Sequence, residues 1–181
     1  MKESPKTHLR TFSHPESTPE AVYAASATQL KRLIFNYRLR YKSSSYSFLW
    51  HTALMYVANA TLSNPKEENR SSCLMLCING YESLGRSWRV VETIIKALLW
   101  MTLRKEVISS DAAHRILHDL RNNNSTHIQD SIRATFMADL DLAFSDPRSA
   151  TVECLAEQFE EHAALKDYTN ILDEEGFELG D

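Results

Sequence analysis

Glycine and proline are scarce: four and five among 181 residues. A sheet-rich fold turns often and places these residues at its turns, so their scarcity argues against one. Cysteine is scarce too. Three thiols, with no C-x-x-C pair, argue against a disulfide framework and fit a reducing compartment. Long apolar runs are missing, because the longest stop at four to six residues. A membrane span needs about 20. The opening MKESPKTHLRTFSHPESTPE has no apolar core, so a secretory leader is not expected. Phosphate-cradling glycine loops, the G-x-S-x-G elbow and H-E-x-x-H are also missing, and the expectation is a chain that is not an enzyme.

Hydrophobic residues make up 43% of the chain, enough for a core, and Ala, Leu, Glu and Arg dominate the middle. The expectation is an all-α, irregular multi-helix array, forming part of a larger helical domain. Charge is divided along the chain. Residues 1–135 hold 18 Lys and Arg against 11 Asp and Glu, a balance of +7, whereas residues 136–181 hold 2 against 13, a balance of −11. The basic part forms no dense arm and gives little reason to expect nucleic-acid binding by this chain.

Residues 1–19 read as a disordered, Ser/Pro/Thr-rich lead-in, residues 20–165 as a helical domain and 166–181 as an acidic tail. Thr18 caps and Pro19 opens a first predicted helix, with Val22, Tyr23, Leu30, Leu33, Ile34 and Tyr37 at helical spacing to about Arg40. A second predicted helix, Tyr46–Leu62, aligns Trp50, Ala53, Leu54, Val57 and Thr61 and ends at Ser63-Asn64-Pro65. A third, Ser72–Leu84, aligns Leu74, Cys77, Ile78 and Tyr81, with Gly85 where a C-terminal cap is wanted. Val90–Arg104 is the most apolar, with Val91, Ile94, Ile95, Leu98, Leu99 and Met101, and should be the buried spine. Trp50–Leu62, Leu74–Leu84 and Ala113–Leu120 should flank it. Ser109, Ser110 and Asp111 cap a fifth, Asp111–Arg121, which Asn122-Asn123-Asn124 should stop. Ser125–Ala138 is less regular, Asp139-Leu140-Asp141-Leu142 is ambiguous between helix and strand, and Asp146-Pro147 should start a last helix to about Leu165 with Val152, Leu155, Ala156 and Phe159 inward.

Candidate chemistry reduces to a few residues. Cys73 and Cys77 share a helix face and Cys154 is remote, so the thiols read as small buried hydrophobes. His114 and His118 stand at i and i+4, but Arg115 replaces the glutamate of a zincin and only His127 lies near as a third ligand. No metal or other cofactor is expected. His51, beside Trp50, reads as an interhelical polar contact. Trp50, Trp88, Trp100, Tyr46, Tyr56 and Tyr81 are either core or the lining of a small-molecule cavity.

Longer stretches carry a family resemblance. SFLWHTALMYVANATLSNP resembles a segment of fungal zinc-cluster transcription factors that usually ends in "LHRP", with Leu62 and Pro65 kept and the His-Arg replaced. ESLGRSWRVVETIIKALLWMTLRKEVISSDAAHRILHDLR resembles the C-terminal part of the regulatory region in nitrate-assimilation-type activators of filamentous fungi. MADLDLAFSDPRSATVECLAEQFEE resembles the next stretch of those same activators. The resemblance spans about residues 45–162. It implies a nuclear regulator of RNA polymerase II transcription. Relatives bind DNA through six cysteines holding two zinc ions, and no C-x2-C-x6-C spacing occurs here. DNA contact and zinc therefore do not carry over: DNA is expected only through a missing head. The expected partners are other protein segments or a second copy of the chain, with no membrane. The alternative expectation is a small-molecule-sensing helical domain with an aromatic-lined cavity.

Overall fold

The computed structural model describes residues 18–40, 48–85, 88–123 and 134–174. Among these the fold is all-α, with seven helices and no strand. They are α1 (Pro19–Arg40), α2 (Phe48–Ser63), α3 (Arg70–Gly85), α4 (Val91–Arg104), α5 (Ser110–Asn123), α6 (Leu140–Ala143) and α7 (Val152–Glu174). Packing follows the order α1 on α2, α2 on α3, α3 on α4, with α5 beside α4, α6 beside α2, and α7 packed most extensively on α4.

α4 is the spine the sequence predicts. Val91, Ile94, Ile95, Ala97, Leu98, Leu99, Met101 and Thr102 are all buried. Its main partner is different. α7 lays Val152, Leu155, Ala156 and Phe159 against the bundle and covers more of α4 than α2, α3 or α5 does. α2 is also buried on most sides, with Trp50, His51, Leu54, Val57, Ala58 and Thr61 inside. α3 comes close to it at Gly80. A Cβ there would meet Leu54 Cδ1 and Cδ2 at 2.8 Å, so any larger residue would have to displace the buried Leu54 side chain.

The helix ends differ from the sequence expectations in instructive ways. Thr18 caps α1 as expected, its Oγ1 accepting from the Ala21 amide at 3.2 Å. Ser109 caps α5 by accepting from the Ala112 amide, and the helix runs on through Asn122 and Asn123 instead of stopping there. α3 includes Gly85 as its last residue. Asp139 caps the one-turn α6 by accepting from the Leu142 amide at 2.9 Å, which resolves the ambiguous Asp139–Leu142 stretch as helix.

Asp146-Pro147 does not open α7. Asp146 closes a turn on the Arg148 and Ser149 amides, and Val152 is the first helical residue. The extended stretch 134–139 explains the delay. Phe136 and Ala134 carbonyls accept from the Val152 and Glu153 amides (3.0 and 3.1 Å), satisfying donors that a helix start leaves open. α7 then continues past Leu165 to Glu174, so much of the predicted acidic tail is helical. The predicted helix start at Tyr46 and the segment 124–133 lie outside the described residues.

α4 ends in a Schellman turn. Glu106 N–H donates to Leu103 O and Val107 N–H to Thr102 O (2.9 and 3.0 Å), with Glu106 at φ 54°. Glycine usually fills that left-handed position; here a glutamate does.

Candidate functional site

Three places gather polar or aromatic groups, and a fourth exposes apolar ones. The first is internal. Tyr81 Oη on α3 donates to the His51 carbonyl at 3.0 Å, which fixes its single hydrogen. His51 Nδ1, also 3.0 Å from Tyr81 Oη, is then the donor in return. Phe136 meets the same imidazole edge-on, with ring centroids 5.0 Å apart. Burial holds the His51 imidazole below its ordinary value and pushes the Tyr81 phenol well up. This pair ties α2, α3 and the extended stretch together, as the reading of His51 as an interhelical contact anticipates.

The second place lies at the C-terminal ends of α2 and α4. Asn59 on α2 donates to Met55 O and Ala138 O (3.0 and 2.7 Å) and accepts from Leu140 N–H (2.9 Å). Beside it, Asp139 lies 3.6 Å from Arg104, and Asp141 accepts from Ser63 Oγ at 2.8 Å. No sequence signal marks this node, because its partners are far apart in the chain and one of them is a lone asparagine on a buried face.

The third place is a concavity of about 560 Å³ between the end of α4, the turn after it and α7. Trp100, Leu103, Val107, Ile108, Ser110 and His162 line it. Trp100 Nε1 donates to Gln158 Oε1 at 2.7 Å and its ring packs on His162. Ser110 Oγ stands 3.4 Å from His162 Nε2. His114 Nδ1 donates to the Ser110 carbonyl at 2.9 Å, so its Nε2 is the acceptor, and that atom is buried without a partner.

The sequence candidates are mostly scattered. Of the five candidate aromatics among the described residues, only Trp100 lines the concavity. Trp50 and Tyr81 are core, with Trp50 packed on Tyr37 at 5.5 Å. Trp88 packs half-buried against the core, Tyr56 faces solvent, and Tyr46 lies outside the described residues. His114 is half-buried whereas His118 is exposed beside Asp119 and Asn122, and His127 lies outside the described residues. Cys77 is buried and its thiol is pushed up to about 12 by burial; Cys73 sits beside Glu67 and is also raised, burial being the first cause. Cys154 is on α7, apart from both. Among the described residues no three His, Cys, Asp or Glu side chains converge as a metal site would need.

The fourth place is the outward side of α1 and α2. On α1, Leu30, Ile34 and Tyr37 pack inward. Leu33, Phe35 and Leu39 are 62%, 54% and 71% exposed, and Leu49 and Tyr56 on α2 are 78% and 55% exposed. Leu33 and Tyr23, which the sequence places on the inward stripe, thus face solvent. The inward register of α1 is fixed on its other flank by Lys31, which reaches Glu67 in the α2–α3 loop at 2.5 Å. Leucine and phenylalanine with more than half their surface in water are an unfavourable arrangement unless something covers them.

No described helix is long and apolar enough to cross a membrane. Comparison of the chain with family models, with curated proteins and with solved structures gave no significant match in any of the three.

Proposed function

We propose that this chain is a regulatory, protein-interaction module of the fungal zinc-cluster transcription-factor type, acting in the nucleus on RNA polymerase II transcription. The observation that carries the interaction part is the exposure of large apolar side chains on both α1 and α2, where Leu33, Phe35, Leu39, Leu49 and Tyr56 meet solvent. The resemblance of residues 45–162 to the regulatory region of those activators supplies the transcriptional part. In this reading the module works without catalysis, by covering or releasing a partner surface, and zinc belongs only to the DNA-binding cluster of relatives.

A reporter assay tests it. Fused to a foreign DNA-binding head in a filamentous fungus, the chain should raise or lower reporter output at least several-fold. Leu33→Glu with Leu39→Glu should remove that effect while leaving the melting temperature unchanged. Output equal to that of the bare head would remove the transcriptional reading.

The concavity at Trp100 supports a second reading, a small-molecule sensor. Trp100, Leu103, Val107 and Ile108 supply apolar lining, and Arg104, Glu106, Ser110 and His162 supply the polar groups that could orient a ligand. A ligand that binds only the folded state raises its melting temperature, so a thermal-shift screen with Trp100→Ala as control decides this reading.

A further inference from the structure

The two helices at the ends of the packing order carry opposite charge. α1 turns Arg32, Phe35, Arg38 and Leu39 to solvent on one side, with Leu33 and Arg40 exposed on the other flank. α7 turns Glu157, Glu160 and Glu161 to solvent, with Leu165 69% exposed one turn further on. α1 packs on α2 and α7 on α4, so neither face covers the other within one chain. Lys96 of α4 lies 2.6 Å from Glu160. Arg32, Arg38, Arg40, Glu157 and Glu161 take part in no ion pair among the described residues.

We propose that these faces are two halves of one self-docking surface: the outward face of α1 receives the acidic outward face of α7 from a second copy of the chain. On α1, Arg32, Phe35, Arg38 and Leu39 follow at three- and four-residue spacing and share one side; on α7, Glu157, Glu160, Glu161 and Leu165 do the same, so two arginines beside two apolar side chains meet glutamates followed by a leucine. Opposed charge selects and orients the partner, while burial of Phe35, Leu39 and Leu165 holds it. Because the halves lie on different helices, the contact is head to tail. Copies therefore add in series, and assembly ends only where a ring closes. The inference rests on the interaction-module reading and narrows the partner to the chain itself.

Sedimentation velocity of the whole purified chain tests it, from low to several hundred micromolar. The weight-average mass should climb with concentration at about 50 mM NaCl, and the association should weaken about tenfold at about 500 mM, where exposed charges are screened within a few ångströms. Two charge-reversed variants sharpen the test, R32E/R38E on α1 and E157K/E161K on α7. All four positions are exposed, so each variant should keep the wild-type melting curve and run as a monomer. Mixed in equal amounts, they should associate again, because each supplies the sign the other has lost.

A wild-type monomer at every concentration overturns the inference, and so does a mixture that stays monomeric, or either variant associating like the wild type. A foreign protein captured by the monomeric wild type but not by R32E/R38E also overturns it and assigns the α1 face to that protein. None of these results touches the reporter assay, so the self-docking inference and the module reading fail separately.

Discussion

His51 is the residue whose environment most clearly sets a measurable property. Its imidazole is held below the ordinary histidine value by burial. As pH falls through about 6.5 the unfolded chain takes up this proton. The folded chain resists until a lower pH, so the contribution is complete above about 6.5 and is lost as pH falls below it. Wild-type protein should therefore lose denaturant resistance between about pH 7 and pH 5 more steeply than H51Q. Equal slopes for the two would deny His51 that role. Cys77 gives a second residue-scale prediction. With its thiol near 12, it should resist iodoacetamide in the native state and react only on unfolding, as read by mass spectrometry. Both environments are legible in the sequence, His51 as an interhelical contact and Cys77 as a small buried hydrophobe. The partner of His51 is not, since Tyr81 is 30 positions away.

At the scale of the elements, the interior stripes of α3, α4 and α7 are legible because each burial pattern repeats at helical spacing and nothing else competes for it. The ends are less so. Asp146-Pro147 has the composition of a helix start, yet Val152 begins α7 because the 134–139 backbone is there to receive its amides. Such a long-range acceptor leaves no local signal. α1 misleads for another reason: it has apolar residues on two sides, and spacing alone does not say which side meets α2.

Three substitutions test the elements. Glu106 occupies the left-handed position of the α4 C-terminal turn, which costs a non-glycine residue about 1 kcal/mol. Glu106→Gly should raise stability by up to about 1 kcal/mol, the gain being trimmed by the extra freedom of an unfolded glycine. A fall in the denaturation midpoint would contradict the Schellman assignment. Asn59→Ala should cost about 2–3 kcal/mol, because it strands the buried Ala138 carbonyl and the Leu140 amide. Gly80→Ala should also destabilise, by about 1 kcal/mol after the better helix propensity of alanine is credited, since Leu54 is fully buried and has little room to move. Urea midpoints of the two variants against the wild type check both losses.

At the scale of the whole molecule, the all-α class and the central place of α4 are plain in the sequence, but the helix that covers α4 is not. The neighbours expected from sequence are α2, α3 and α5; the dominant one is α7. Chain order carries no information about which of several amphipathic helices claims a given face. The division of charge along the chain, basic early and acidic late, is legible too. The fold turns it into geometry by setting α1 and α7 at the two ends of the packing order.

The pairing of α4 with α7 also sets a timetable. α4 is made well before its main cover, and α5, α6 and their connections must be synthesised before Leu155 and Phe159 exist to join the core around it. During that interval α4, with its buried apolar stripe, has only α2, α3 and α5 for shelter. A growing chain must keep that surface from its neighbours, and it cannot complete its core until α7 has been made. Locking the fold is then a late event, made by a helix whose outward side is acidic and whose inward side is the last piece of the interior.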